Sequence, residues 1–484
     1  MRFKQYFLNH PTAKYTILLS GITIISIVAL VWWLLKDPSQ TFAKNVPGMD
    51  KRFTSANSAN NQVVKIGEHF TAFEAIKTTF TETWPRFRGE NYDNISKSSI
   101  KLIDKFGDIK KRIRWTVGLG EGFAGPAIYK GAVYLLDYDE AKHADMLRCF
   151  SLADGKEAWR RWYNVAVKRN HGMSRTIPAV SEKYVVSIGP RCHVMCVDRE
   201  TGNYRWGIDI EKEYSSEVPL WYTGQCALID DNKAIIATGG KSLMIAVDCE
   251  TGKKIWETPN PNKWKMSHSS IMPYTYKGKK MYVYSAIGGI CGIAADGPDA
   301  GKILWETKAW NHKVIAPSPV CMPDGKIFMT AGYGAGAMLL QLKEENNGFA
   351  VSVLQEYLPK DGLACEQQTP LYFMGHLFGI LPKDGGTLRN QLVCVDPSNC
   401  KKMLWSSGKI TRFGLGPYLI ADNKMFILND DGTLTIAKPS SSKFEVIDQV
   451  KVFDGQDAWG PMALADGLLV MRDSKKLVCI DIKK

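Results

Sequence analysis

The sequence predicts an all-β fold: an eight-bladed β-propeller closed by strands from both ends of the chain and preceded by one N-terminal transmembrane helix. Three observations predict it. The first is a segment that recurs about every fifty residues, a period that short β-strands build into propellers or related closed arrays. Its fullest copy is Ala246-Val-Asp248-Cys-Glu-Thr251-Gly252-Lys-Lys-Ile-Trp256, and the copy before it ends Thr201-Gly202-Asn-Tyr-Arg-Trp206. Weaker copies end at Trp159, Trp305 and Trp405, the last after a double interval that holds a degenerate copy. The second is the way each copy opens, at loops near Pro126, Pro178, Gln225, Ser270, Pro319, Pro370, Pro417 and Pro461, eight in all. A run of β-branched and apolar residues such as Tyr184-Val-Val-Ser-Ile188 follows each opening. The third concerns the ends. The eighth copy stops after Leu477-Val-Cys-Ile-Asp481 without a Trp strand, whereas Arg112-Ile-Arg-Trp115-Thr-Val117 has no blade before it. Pairing these two segments closes the ring and removes both open sheet edges.

Along the chain, residues 1–15 form a short cytoplasmic N-terminus and 16–35 a signal anchor. Thr16 to Leu35 carries no charge over twenty residues, enough to span a bilayer as a helix. Lys14 precedes it, Trp32-Trp33 sits where an interfacial aromatic pair belongs, and Lys36-Asp37-Pro38 stops it. A cleaved signal peptide is the alternative; only Thr41-Phe-Ala43 resembles a cleavage site, and the apolar run exceeds a usual signal core. The expected topology puts the N-terminus in the cytoplasm and the propeller on the periplasmic, extracytoplasmic side of the cytoplasmic membrane. Residues 36–83 are assigned to a linker, polar and low in complexity at Ser55–Gln62, with a short strand or helix between Val63 and Thr83. The propeller takes 84–484.

Hydrophobic residues at 45% and aromatics at 11% suffice for a packed core, and 42 Gly with 22 Pro suit the many turns of an all-β chain. The net charge of +13 is dispersed; its densest run after the anchor, Lys110-Lys111-Arg112-Ile-Arg114, reads as a solvated strand edge before it reads as an anionic-lipid contact. No basic-aromatic pattern points to nucleic acid. The 11 cysteines do not form a disulfide framework, since Cys149, Cys196, Cys394 and Cys479 share one repeat position and read as small buried apolar residues. Cys192 and Cys196 lack partners at metal-like spacing, so no metal site is assigned. His143 and His171 read as exposed loop residues. Without a Gly-x-Ser-x-Gly elbow, a phosphate loop or a His-Glu-x-x-His helix, hydrolase and nucleotide chemistry find no support.

The recurring Trp is structural in this reading. A ligand site is local, whereas Trp115, Trp159, Trp206, Trp256, Trp305 and Trp405 recur blade after blade, as wedges between neighbours must. Trp159, Trp206, Trp256, Trp305 and Trp405 are expected to be buried between blades.

The motif Ala-x-Asp-x-x-Thr-Gly-x-x-x-Trp, complete at Ala246–Trp256, resembles the tryptophan-docking motif of the pyrroloquinoline-quinone (PQQ) alcohol dehydrogenases and of the wider PQQ-like repeat propellers, which include the propeller lipoprotein of the outer-membrane β-barrel assembly machinery. The resemblance covers roughly Trp84 to Lys484. Its enzymes bind PQQ and Ca²⁺ on the propeller axis, with an Asp base, a cation near the quinone and often a disulfide between adjacent cysteines. This chain has no Cys-Cys pair, and no Asp/Asn/Glu set matches the calcium ligands.

The opening loops nonetheless carry polar side chains that ring one mouth of the channel in a propeller: Glu121, Arg175, Tyr222, Gln225, His268, Lys313, Glu366, Gln367, Arg412, Asp457 and Trp459. Arg175, Glu366, Arg412 and Trp459 are the candidate ligand- or cofactor-binding residues and Asp457 the candidate catalytic acid or base. Guanidinium groups there suit carboxylate-bearing ligands. The favoured function is a membrane-anchored binding or scaffold module with a protein partner in the cell envelope, no assigned cofactor, and room for a small molecule in the channel. The alternative is a PQQ- and calcium-dependent dehydrogenase oxidising an alcohol or sugar.

Overall fold

Eight antiparallel sheets follow one another along the chain, and the second to the seventh take their strands in sequence order from the axis outward, while the first and last also recruit strands from the N-terminal part of the propeller unit. A computed structural model describes residues 11–35, 63–168, 173–345, 348–455 and 457–484. The segments Lys36-Asp37-Pro38, Thr41-Phe-Ala43 and Ser55–Gln62, together with His171, lie outside the described residues. The chain divides into Met1–Val63 and Val64–Lys484. In the first unit, Pro11–Leu35 is a helix of 25 residues. Its window Leu18–Leu35, with mean hydropathy 2.4, is by length and composition able to cross a membrane.

In the second unit, blade 1 runs from the inner strand Ala127–Tyr129 through Ala132–Asp139 and Ala144–Ser151 to the outer strand Glu157–Asn164. The inner strands of blades 2 to 8 are Ala179–Val180, Leu228–Asp230, Met272–Tyr276, Val320–Cys321, Leu371–Phe373, Tyr418–Ala421 and Ala463–Ala465. Blade 8 closes as expected. Its outer strand is Ile113–Gly118, antiparallel to Lys476–Asp481, with Trp115 opposite Cys479 and Val117 opposite Leu477. Blade 1 gains a further outer strand, His69–Ala72, paired with Trp159–Trp162. This is the strand anticipated between Val63 and Thr83, so from Val64 onward the expected linker residues are part of the propeller unit.

The repeat motif has a physical role at each position. In blade 2 the carboxylate of Asp198 accepts from the amides of Glu200 and Thr201 and from the Thr201 hydroxyl, closing the turn. In blade 3 Asp248 does the same with Thr251. Gly252 then takes φ +70, and the Trp206 indole of the preceding blade packs so close that a Cβ there would lie 2.6 Å from the ring. Trp115, Trp159 and Trp256 dock in the same way on Gly155, Gly202 and Gly301 of the following blade. Within its own blade each indole lies opposite a small residue: Cys149, Cys196, Ala246, Gly292, Cys394 or Cys479. That explains the shared cysteine position, and the 11 cysteines are free thiols.

The expectation of uniform burial needs correction. Trp115, Trp159, Trp206 and Trp305 are buried, but Trp256 and Trp405 are half-buried. Trp405 reaches the next blade through a hydrogen bond from Nε1 to the Ser440 carbonyl, because blade 7 has no Thr-Gly turn to receive it. Blade 5, the degenerate copy between Trp305 and Trp405, has no Trp and instead extends its outer hairpin, Gly336–Glu345 and Gly348–Tyr357. Trp305, with no such turn ahead of it, lies against its own Gly292, and its Nε1 points at Met281 Sδ at 3.3 Å.

Candidate functional site: an axial cavity with one closed end

Two sets of contacts shape the axis. Around it runs a belt of hydrogen bonds between the loops that open successive blades. The Ile177 amide donates to Cys226 Sγ, the Cys226 amide to Ser270 Oγ, the Ser270 amide to Ser318 Oγ and the Ser318 amide to Thr369 Oγ1. A small hydroxyl or thiol at one repeat position thus joins blades 2 to 6. Across the axis passes the segment that begins Trp84-Pro-Arg-Phe-Arg-Gly89. Thr83 and Trp84 pair with the inner strand of blade 1, and the Pro85 carbonyl accepts from Val180 of blade 2. Arg86 donates to Ile229 of blade 3, Arg88 to the carbonyls of Thr369 and Pro370 of blade 6, and Asn94 to Tyr418 of blade 7. Blades 1 to 3 and 6 to 7 lie on opposite sides of an eight-membered ring, so this segment crosses the axis. Arg88 is buried, which lowers its pKa to about 10, and three hydrogen bonds to carbonyls besides its Nε bond to Tyr92 offset that desolvation.

Above this crossing lies a cavity of about 510 Å³, lined among others by Phe87, Arg175, His268, Glu366, Asp457 and Trp459. A volume of that size is ordinary for a small-molecule site. Of the candidate residues, the structure brings Arg175, Glu366, Gln367, Asp457, Trp459 and His268 together. Arg412 is a correction. Its guanidinium turns away to the backbone carbonyls of Lys409 and Arg389, and it is not among the lining residues. Gln225 is buried and holds both backbone groups of Ala237, so it is a structural residue. Tyr222 donates to the Lys168 carbonyl, Lys313 is exposed, and Glu121 lies in a separate cleft with Asp137 and Arg148. His143 is exposed, as expected.

The sequence did not single out Phe123, Trp221, Tyr333 or Lys383, all of which line the cavity. They follow no repeat position. Phe123 stacks on Trp459 with ring centroids 3.8 Å apart, and Trp221 lies 5.4 Å from Tyr333. Trp221, Tyr333 and Asp457 have left-handed backbones, with φ of 65, 58 and 66. Trp and Tyr rarely adopt that region, although Asp does so more readily, and such strain of roughly 1–2 kcal/mol per aromatic residue persists where surrounding structure imposes it. Gly332 leaves room for Glu366, since a Cβ there would lie 2.3 Å from its Cγ.

The charges are arranged by blade. Burial lowers the Arg175 guanidinium to about 10. His268 is pushed down to about 4, first by burial and then by Arg175, and is therefore neutral at pH 7. Burial raises the Glu366 carboxyl, while Lys383 pulls it back. Among the described residues no group of three or more His, Cys, Asp or Glu side chains is placed to hold a metal ion. A calcium ion takes six to eight oxygen ligands. The cavity's two carboxylates, Glu366 and Asp457, do not supply such a set, and they would face a triply anionic quinone across the same wall. These residues do not fit the PQQ–calcium pair.

The comparisons agree with this architecture. The profile of the family described as outer membrane protein assembly factor BamB matches residues 109–263 and 143–347. The chain is a PQQ-like repeat propeller. Among solved structures, the quinohemoprotein alcohol dehydrogenase ADHIIG from Pseudomonas putida HK5 aligns with a TM-score of 0.53 at 12% identity, covering 83% of this chain and 80% of that one. The Dos1 propeller aligns with a TM-score of 0.52 at 10% identity, covering 77% and 95%. BamB from Moraxella catarrhalis gives 0.48 at 12%, covering 80% and 99%. At these identities the likeness is one of fold. No curated protein matches the sequence.

Proposed function

We propose that this PQQ-like propeller is a non-catalytic binding module of the cell envelope, held to the cytoplasmic membrane by the helix Pro11–Leu35 and exposed on its extracytoplasmic side. The observation that carries the reading is the axial cavity. Phe87 of the axis-crossing segment contributes to its lining, aromatic pairs form its walls, and its two carboxylates stand beside Lys383 without a calcium ligand set. The match to the BamB profile supports a place among envelope propellers with protein partners. The 25-residue apolar helix supports the anchor.

The test uses the full chain in detergent, mixed with PQQ and Ca²⁺. No calcium-dependent quinone binding and no dye-linked alcohol oxidation are expected. An oxidation that disappears in Asp457→Asn would overturn the reading in favour of a dehydrogenase. The anchor is tested separately: the protein should stay with membranes in high salt, and protease added outside should cut near Ser55–Gln62. A soluble form beginning near Lys44 would establish a cleaved signal peptide instead.

A further inference from the structure

The eight-blade numbering turns the cavity residues into a map. Arg175 opens blade 2 and Glu366 opens blade 6, which stands opposite blade 2 in an eight-membered ring. The line between them divides the remaining blades into 3–5 and 7–1. Trp221 of blade 3 and Tyr333 of blade 5 form the aromatic wall on one side; Phe123 of blade 1 and Trp459 of blade 8 form the other. A ring-shaped ligand lying along that line would have an aromatic face on each flank, a guanidinium at one end, and carboxylate, amide and ammonium groups at the other.

The two ends ask for different chemistry. A guanidinium in a cavity binds a carboxylate through two charge-assisted hydrogen bonds. His268 beside it is neutral, so the cationic end carries a single charge. At the opposite end Glu366 disfavours a second anion, Asp457 adds negative charge on the flank formed by blade 8, and Lys383 acts on Glu366 to offset part of its charge. An ammonium group would meet that lysine. Hydroxyl groups meet no such conflict, because each donates to a carboxylate or amide oxygen and accepts from an ammonium or amide N–H. The aromatic faces carry negative quadrupole density and suit the C–H-lined faces of a saturated ring.

We propose that the axial cavity binds an acidic sugar of the uronic-acid class, its carboxylate on Arg175, its ring between the two aromatic pairs and its hydroxyls on Glu366, Gln367, Asp457 and Lys383. The inference rests on the reading of the protein as a binding module and gives that module its ligand. It differs from a flat polyanionic quinone in needing one carboxylate and several hydroxyls.

Isothermal titration of the full chain in detergent tests it with galacturonate, its neutral counterpart galactose, an aromatic dipeptide and PQQ without metal. Galacturonate is expected to bind at least about tenfold more tightly than galactose, the factor one charge-assisted hydrogen-bonded contact supplies. Arg175→Gln should remove that preference, and Glu366→Gln should weaken both saccharides, with melting temperatures showing that each variant folds. If either variant fails to fold, the wild-type preference of acidic over neutral saccharide decides alone. Equal binding of the two saccharides, or tighter binding of the dipeptide or of PQQ, would overturn the ligand class while leaving a binding module in place. If none of the four binds to a protein that melts cooperatively, both the ligand and the module are wrong.

Discussion

The docked tryptophans and the axial cavity are built from the same repeat, yet they use it in opposite ways. In the tryptophan belt one residue recurs: Trp115, Trp159, Trp206 and Trp256 each press on the turn glycine of the next blade. In the cavity every blade contributes something different, from Phe123 and Arg175 to Glu366 and Asp457. Repetition stabilises a ring, because every interface must be filled alike. A ligand breaks the symmetry of the ring, so the residues that meet it have no reason to repeat. The belt should therefore govern stability, and the cavity should be open to substitution at little expense in folding.

The strongest way to break this contrast is at the closure. Deleting residues 475–484 removes Lys476–Asp481, the strand that pairs with both Ile113–Gly118 and Leu468–Arg472. Leu477, Cys479 and Ile480 on it are fully buried. The truncated chain is expected to lose its cooperative melting transition altogether. One that melts at the wild-type temperature would show that the ring does not depend on its two-ended blade.

Next come the tryptophans themselves. Trp206 is buried, and its Nε1 donates to the Cys249 carbonyl of blade 3 at 2.8 Å. Trp206→Ala should cost about 3–5 kcal/mol, read as a shift of the urea midpoint. Trp256 is half-buried, and its Nε1 has no hydrogen-bond partner. Trp256→Ala should cost about half as much, since less apolar area is lost and no bond is broken. Equal losses at the two sites would mean that docking on the glycine, common to both, outweighs burial. By contrast Arg412→Ala, outside the cavity, is expected to change stability by less than about 0.5 kcal/mol and to leave cavity binding as it was.

This contrast also explains what was legible in the sequence. The ring, its blade count and its closure were readable because Asp-x-x-Thr-Gly-x-x-x-Trp recurs and because Trp115 was left without a blade. Arg175, Glu366, Asp457 and Trp459 were found because each stands in a loop that opens a blade, a position fixed by the same period. Arg412 stands in such a loop too, but the period gives a residue's place and not its direction, and nearby carbonyls capture its guanidinium. Trp221 and Tyr333 were missed because their positions depend on left-handed backbones that no motif announces. The axis-crossing segment was noticed as Trp84-Pro-Arg-Phe-Arg-Gly89, but its contacts with distant blades leave no mark in local sequence. Signal, where it could have been read, lay in a bulky Arg88 followed by glycine, in a stretch with no strand pattern.

The smallest effect sharpens the contrast at one blade interface. Between blades 1 and 2, Asp145 is buried and accepts a hydrogen bond from the Tyr163 hydroxyl at 2.7 Å, and Tyr163 packs edge-on against His193. Burial, with Asp137 nearby, raises the Asp145 carboxyl to about 7, although the Tyr163 bond opposes the rise. An acid whose folded pKa lies above its unfolded value of 3.8 holds its proton more tightly when folded. Its contribution is therefore complete below pH 3.8 and is lost as the pH rises through about 7. Asp145→Asn removes this dependence, because the amide stays neutral throughout and keeps an oxygen for Tyr163. Urea midpoints at several values between pH 5 and pH 8 should show the variant gaining on the wild type by on the order of 1 kcal/mol as the pH rises. A stability difference that stays constant over that range would show that Asp145 is already ionised in the folded blade interface, with a counter-charge close enough to hold it so.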